Sequence, residues 1–175
     1  KNKIMPTNKV LLITADYYKR NSVVNLNVDS ELIHPQIIKA QNLNIERALG
    51  TNLFDVLLSE VSCGTVSARM VSLLEEYIQP ALVEWVTYSG LLYFNYKVTN
   101  KAVVKKSSDN SEASSLNEVN FLRQSVRDDA EYYTDRLVKF LCANEVVYPE
   151  YATGNINDDD IVPSKKSFFG GVYLK

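Results

Sequence analysis

The sequence predicts a mainly α protein: a bundle of about five helices with a projecting hairpin and an extended C-terminal tail. Apolar residues recur every three to four positions along most of the chain, and helix-capping residues flank these stretches. At 175 residues, of which 46% are hydrophobic, the chain is long enough for one core. The predicted helices span residues 29–49, 51–61, 66–78, 80–96 and 115–142.

The first two predicted helices form a hairpin around Gly50. Asp29 has the side chain of an N-cap, and Gly50 follows the last apolar position, where glycine commonly ends a helix. Thr51 then begins the second helix. Before this pair, residues 10–13 predict a short apolar anchor, and Thr14 is the expected N-cap of one further helical turn.

Pro80 separates the third and fourth predicted helices. Proline lacks an amide proton and clashes with the preceding turn, so it either starts a helix or kinks one, and we expect a break here. The segment 80–96 is apolar nearly all round, which is typical of a helix at the centre of a bundle. The longest apolar run, 81–98, contains Glu84 and Lys97 and predicts a buried helix rather than a membrane span.

The last predicted helix, 115–142, has the most regular pattern. Ser115 and Glu118 form a capping box at its start. Apolar residues then recur at three and four positions for about eight turns. In the bundle as a whole, the residues expected to be buried include Trp85, Leu92, Leu122, Tyr133 and Leu137.

One helical domain is predicted over residues 1–152. Within it, residues 98–115 combine β-branched residues with a polar, aperiodic stretch and predict a hairpin or loop arm. Residues 153–175 predict an extended tail with an apolar end, which is unfavourable when exposed to water. The tail is therefore expected to pack on its own bundle or on a neighbouring subunit, and both alternatives stay open. Its candidate contact residues are Phe168, Phe169, Val172, Tyr173 and Leu174.

Charge and cysteine content disfavour several classes of function. The chain has 19 Lys and Arg against 21 Asp and Glu, a net charge of −2, so it lacks the basic field that gathers nucleic-acid phosphates. Cys63 and Cys142 have neither metal-ligand nor disulfide spacing and are interpreted as free thiols in a reducing compartment. No secretory signal follows the charged N-terminus. We expect a soluble protein.

No catalytic, metal or cofactor site is predicted. The only histidine, His34, has no orienting partner, and a helix-surface or capping role is favoured over catalysis. Residues 155–160 start like a calcium loop, but Asp160 stands where the loop needs glycine, so a solvated loop is favoured. The adjacent carboxylates at 75–76 and 128–129 diverge on predicted helices and are interpreted as solvated faces.

Three lysines of the arm, Lys101, Lys105 and Lys106, form a small basic patch. A contact with a phosphate backbone and a role in keeping an exposed hairpin soluble are both open. The second is favoured, because Asp109 and Glu112 lie close by and offset the charge. These lysines are also candidate contacts between subunits.

Three segments resemble one known family when they occur together. They are residues 40–57, which contain Leu-Gly-Thr-Asn-Leu-Phe around the first helix corner; 77–85, Tyr-Ile-Gln-Pro-Ala-Leu-Val-Glu-Trp; and 99–111, which begin Thr-Asn-Lys-Ala-Val-Val-Lys-Lys. They resemble the head–tail connector, or adaptor, proteins of tailed bacteriophages, in particular the ring proteins of crAss-like phages. The resemblance covers residues 10–151 and includes the Tyr-Pro-Glu-Tyr at 148–151.

The resemblance implies a helical subunit of a ring, commonly twelvefold, that lies under the portal in the virion and surrounds the DNA channel. The implied partners are copies of the chain, the portal, other ring and tail proteins, and passing double-stranded DNA, with assembly in the host cytoplasm. It implies no catalytic residue, cofactor or membrane contact. A near-neutral to acidic subunit suits a DNA conduit, because phosphate-binding side chains would retard the genome.

Two other functions stay open. One is a monomeric helical module, encoded by a phage or a host, that binds a single protein partner. The other is an enzyme whose site is assembled across several helices, for which the sequence offers no converging polar residues.

Overall fold

The computed structural model describes residues 10–24, 28–98, 103–105, 116–152 and 160–163. In these ranges the protein is mainly helical, as the sequence predicts. The described elements are α1 (Ala15–Asn21), α2 (Ser30–Ala40), α3 (Glu46–Leu49), α4 (Thr51–Cys63), α5 (Ala68–Leu73), α6 (Gln79–Asn95), β1 (Tyr96–Val98), β2 (Val103–Lys105), α7 (Leu116–Ala143) and α8 (Pro149–Ala152).

Helices α2 and α3 form one rod through a π turn at Gln41–Ile45. The rod begins at the predicted cap, because the Asp29 carboxylate accepts a hydrogen bond from the Glu31 amide at 3.0 Å. It ends at Gly50, whose φ of 77° lies in a region that side chains other than glycine rarely adopt. Helix α4 starts at the next residue, Thr51. The predicted helix end at this glycine and the predicted helix start at Thr51 are confirmed.

The predicted break at Pro80 is wrong. A π turn at Leu74–Ile78 joins α5 to α6, and in it the Gln79 amide donates to the Leu74 carbonyl. This wider turn lies directly before the proline and accommodates the ring that would otherwise clash with the preceding turn. Helices α5 and α6 therefore form one continuous rod.

Helix α6 lies at the centre of the bundle, as predicted. It makes its most extensive contacts with α7 and α2, which contact each other little. Its polar residue Thr87 is buried and has hydrogen-bond partners. The Thr87 hydroxyl donates to the Val83 carbonyl at 2.9 Å and accepts from the buried Tyr18 hydroxyl at 3.0 Å. Both hydrogen-bonding roles of this side chain are thus filled.

The predicted buried residues have different outcomes. Leu137 is fully buried, and Trp85 and Tyr133 are partly buried against the core. The prediction that Leu122 is buried is wrong, because its side chain is 48% exposed. The side chain of Leu92 lies outside the described residues.

The exposure of Leu122 has a physical reason. In the first half of α7, the side of the helix that faces the bundle carries Val119 and Val126, which are both buried. Leu122 lies at the margin of that apolar stripe, and no described element covers it. Ser115, which forms the predicted capping box with Glu118, lies outside the described residues.

The predicted hairpin arm is confirmed at its base. Strands β1 and β2 pair antiparallel, with Tyr96 opposite Lys105 and Val98 opposite Val103. Strand β1 follows α6 directly, so the hairpin starts at residue 96 rather than at residue 98. Residues 99–102 and 106–115 of the arm lie outside the described residues.

Within the described ranges, no single helix combines the length and apolar character of a membrane span. Thr51–Cys63 and Ala68–Leu91 meet that criterion together, but they are bent by 109° relative to each other. Cys63 and Cys142 are both exposed and form no disulfide.

Candidate functional site

The contact residues predicted from the sequence lie mostly outside the described residues. Lys105 is the last residue of β2 and lies at the base of the hairpin, paired with Tyr96. Lys101 and Lys106 lie outside. So do the five apolar residues of the tail, Phe168, Phe169, Val172, Tyr173 and Leu174.

Helix α7 presents an exposed apolar surface between residues 121 and 132. Phe121 is 80% exposed, Tyr132 67% and Leu122 48%. Phe121 and Tyr132 are eleven residues apart, about three turns, so they lie on the same side of the helix. We call this surface of Phe121, Leu122 and Tyr132 the α7 face.

The α2–α3 rod presents a second exposed apolar surface. Leu43 is 58% exposed and Leu32 is 40% exposed. The exposed Tyr93 ring of α6 lies beside α2, because the Lys39 ammonium is 5.9 Å from its centroid. We call this surface of Leu32, Leu43 and Tyr93 the α2 face. Since α6 is packed between α2 and α7, the two faces are different surfaces of the subunit.

A cleft of about 390 Å³ opens between the α2–α3 rod, α6 and α7. Its aromatic wall consists of Trp85 and Tyr88, whose rings meet edge to face with centroids 5.7 Å apart. Its charged wall includes Arg47, Arg127 and Asp135. We call it the aromatic cleft.

Hydrogen bonds and a stacked guanidinium hold the aromatic wall in place. The Trp85 indole donates to the Thr134 hydroxyl at 2.9 Å, and Thr134 donates to the Ala130 carbonyl at 2.8 Å. The Arg123 guanidinium lies 4.3 Å from the centroid of the Tyr88 ring, a cation–π distance. Both rings therefore have fixed orientations and leave part of their surface exposed to the cleft.

The charges of the cleft are only partly paired. Arg127 donates to the Glu131 carboxylate at 2.8 Å, and this hydrogen bond raises the pKa of the arginine above its ordinary value. Arg47 and Asp135 form no ion pair with any residue in the described part of the chain. The cleft thus offers one available anion and one available cation beside two aromatic rings.

Residues 160–163 are held at the corner between α3 and α4. The Thr51 amide donates to the Ile161 carbonyl at 3.0 Å, and the Ile161 amide donates to the Thr51 hydroxyl at 2.9 Å. Gly50 is required here, because a Cβ on it would lie 2.6 Å from Cδ of Pro163. We call this contact of Gly50 and Thr51 with Ile161 and Pro163 the clasp. The base of the tail therefore packs on its own subunit.

The remaining sequence candidates do not converge on a site. His34 is exposed on α2, as expected for a residue on the surface of a helix. The carboxylates at 75–76 and 128–129 are all exposed. Residues 155–159 lie outside the described residues. In the described ranges, no group of three or more His, Cys, Asp and Glu residues is placed to hold a metal ion.

A second cavity of about 160 Å³ lies beside Glu84 and Pro80. Burial raises the pKa of the Glu84 carboxyl above its ordinary value, and the nearby charge of Asp129 adds to the effect. A perturbed carboxyl is typical of active sites only where a second polar group shares its substrate space. The cavity is otherwise lined by Tyr17, Asn21, Val83 and Tyr133, and no other charged side chain of the described residues lines it.

The aromatic cleft and the two apolar faces were not predicted from the sequence. The cleft combines residues that are far apart in the chain, such as Arg47 and Asp135, and no local spacing joins them. One available signal was the composition of 80–96, because Trp85 and Tyr88 lie on an otherwise apolar helix and such rings are often only partly buried.

Residues 45–161 match the sequence profile of DUF6712, a family of unknown function. The match includes Gly50, Thr51 and Ile161 of the clasp, but not Pro163, and it includes every residue named above in the aromatic cleft. No curated protein and no solved structure matches the chain.

Proposed function

The chain belongs to the DUF6712 family, and we propose that it is a structural subunit that assembles head to tail with copies of itself into a ring. The observation that carries this proposal is the pair of exposed apolar surfaces, the α2 face and the α7 face. Large apolar side chains that are exposed together on one side of a folded domain indicate a binding interface, because water is a poor solvent for them.

Two different faces are what a ring requires. A head-to-tail contact joins one surface of a subunit to a different surface of the next, and it closes into a ring when the rotation between subunits is suitable. The outer helices supply these surfaces on a stiff support. Helix α7 has 28 residues and is about 42 Å long.

We further propose that the ring is a head–tail connector of a tailed phage, located below the portal and around the DNA channel. The resemblance of residues 40–57, 77–85 and 99–111 to connector proteins supports this location, as does the net charge of −2. The partners are then the portal protein and the other ring and tail proteins. A dodecamer is the expected assembly.

Complementary variants test the head-to-tail contact. In one variant, Phe121→Ser and Leu122→Ser disrupt the α7 face and leave Tyr132; in the other, Leu32→Ser and Leu43→Ser disrupt the α2 face and leave Tyr93. Light scattering should give multimers for the wild type and monomers for each variant alone. An equimolar mixture of the two should give dimers and nothing larger, because only one intact pair of faces remains.

Other results would contradict the proposal. Dimers of the α2-face variant alone would indicate a twofold contact between α7 faces rather than a ring. A wild-type monomer at every concentration would favour the second candidate, a monomeric module that binds one protein partner. The aromatic cleft is the observation that favours that candidate. Circular dichroism of each variant controls for loss of folding.

The proposed passage of DNA through the ring predicts weak binding. We expect the wild-type protein to bind duplex DNA weakly and with strong salt dependence, because few phosphates are neutralised by a subunit without a basic field. Nanomolar affinity at physiological salt would contradict a conduit. The hairpin lysines Lys101, Lys105 and Lys106 are where residual affinity is expected.

A further inference from the structure

We propose that the aromatic cleft is the docking site of the chain's own C-terminal segment, residues 164–175. The proposal concerns a single subunit and goes beyond ring assembly. Three properties of the molecule support it: where the described chain ends, what the segment contains, and what the cleft offers.

The described chain ends beside the cleft. Pro163 contacts Gly50, which lies three residues after Arg47 in the wall of the cleft. Three helical residues correspond to about 4.5 Å along the axis, whereas twelve extended residues reach about 40 Å. The segment is therefore long enough to reach the cleft and cross it. The clasp also tethers the segment, which gives it a high effective concentration near its own cleft.

The composition of the segment complements the cleft. Its Phe168, Phe169 and Tyr173 supply rings that can pack against Trp85 and Tyr88, and aromatic pairs contribute beyond the area that they bury. Burial of these rings would also remove the exposed apolar surface that a free segment carries. A volume of about 390 Å³ suits a few side chains rather than the whole segment.

The charges are complementary as well. The segment contains Lys165, Lys166 and Lys175 and no acidic residue. Asp135 in the cleft has no ion-pair partner in the described ranges and is available to these lysines. Of the two arginines of the cleft, Arg127 is already paired with Glu131, and Arg47 can stack on an incoming ring.

Fluorescence provides a direct measurement, because Trp85 is the only tryptophan in the chain. The double variant Phe168→Ala with Phe169→Ala should raise the acrylamide quenching constant of Trp85 about twofold, since the indole loses its aromatic cover. Ser164→Ala with Ser167→Ala is the matched control in the same segment and should leave quenching unchanged. Equal quenching in the aromatic variant and the wild type would overturn the proposal.

Charge reversal tests the same contact from the side of the cleft and leaves the segment intact. Asp135→Lys should raise quenching of Trp85 toward the value of the aromatic variant. Asp128→Lys, on the same helix but outside the cleft, should leave it unchanged. If circular dichroism shows that the aromatic variant does not fold, the comparison of Asp135→Lys with Asp128→Lys provides the test instead. Equal quenching in Asp135→Lys and the wild type would then overturn the proposal.

Dilution distinguishes a subunit's own segment from that of a neighbour. Docking within one chain predicts a quenching constant that stays the same when the wild-type protein is diluted about 100-fold into the monomeric range, because the clasp maintains the local concentration. Quenching that rises on dilution would assign the segment to a neighbouring copy and overturn docking within the chain. Ring assembly can fail its own test without affecting docking within the chain, since the variants can be compared by quenching in the monomeric range.

Discussion

The two halves of α7 have the same apolar periodicity but different surroundings. In the second half, Leu137 and Leu141 are fully buried, and the Phe140 ring stacks on Tyr77 with centroids 4.0 Å apart. In the first half, Phe121 and Leu122 are exposed. One helix thus supplies core at one end and an unpartnered apolar face at the other.

This difference teaches that an amphipathic pattern shows where a helix is apolar, not what covers it. The second half of α7 packs on α6 and on the turn before α8, which belong to the same chain. The first half packs on the bundle through the side that carries Val119 and Val126, but no described element covers Phe121 and Leu122. Apolar residues there are consistent with a partner outside the subunit, which is the basis of the proposed ring.

The largest expected effect belongs to the buried half. Leu137→Ala removes a fully buried side chain from the core and leaves a cavity, so it should lower the free energy of unfolding by about 2–5 kcal/mol. Urea denaturation followed by circular dichroism measures this change. A loss below about 1 kcal/mol would contradict a packed second half, because such a value is typical of surface positions.

An intermediate effect is expected in α8, which follows the buried half of α7 and is joined to α5 by an ion pair. Glu150 accepts from Arg69 at 2.6 Å and 2.9 Å, and Arg69 also donates to the Val147 carbonyl. Glu150→Gln removes one charge from this partly exposed pair and should lower the free energy of unfolding by about 1 kcal/mol at pH 7. Asp128→Asn, an exposed carboxylate on α7, is the control and should change stability less.

The effect of Glu150→Gln should depend on pH. The hydrogen bond from Arg69 lowers the pKa of Glu150 below its ordinary value of 4.5. A lowered folded-state pKa stabilises the protein above that ordinary value, and the stabilisation is lost as the pH falls through the lowered pKa. The difference between wild type and variant should therefore be full at pH 7 and shrink below about pH 4.5. A difference that does not change with pH would contradict an ion pair.

The helical bundle could be predicted from the sequence because its signals are local. The caps at Thr14 and Asp29, the glycine at position 50 and the stripe along α7 each depend on residues a few positions apart. Pro80 shows the limit of local rules, because a proline predicts a break, whereas the π turn at Leu74–Ile78 keeps the rod continuous. The aromatic cleft could not be predicted, because its walls come from helices that are far apart in the sequence, and the spacing of residues along the chain does not show which helices pack together.

The smallest expected effect belongs to the exposed half and completes a matched pair with Leu137→Ala. Leu122→Ala makes the same chemical change on the same helix, but the side chain is 48% exposed and leaves no internal cavity. The free energy of unfolding of the monomer should fall by less than about 1 kcal/mol, because alanine retains helix propensity and little apolar burial is lost. Measurement at the dilution where the wild type is monomeric keeps assembly out of the comparison. A loss as large as that of Leu137→Ala would mean that Leu122 is covered within its own subunit, and the α7 face would then have no apolar surface left to offer a neighbour at that position.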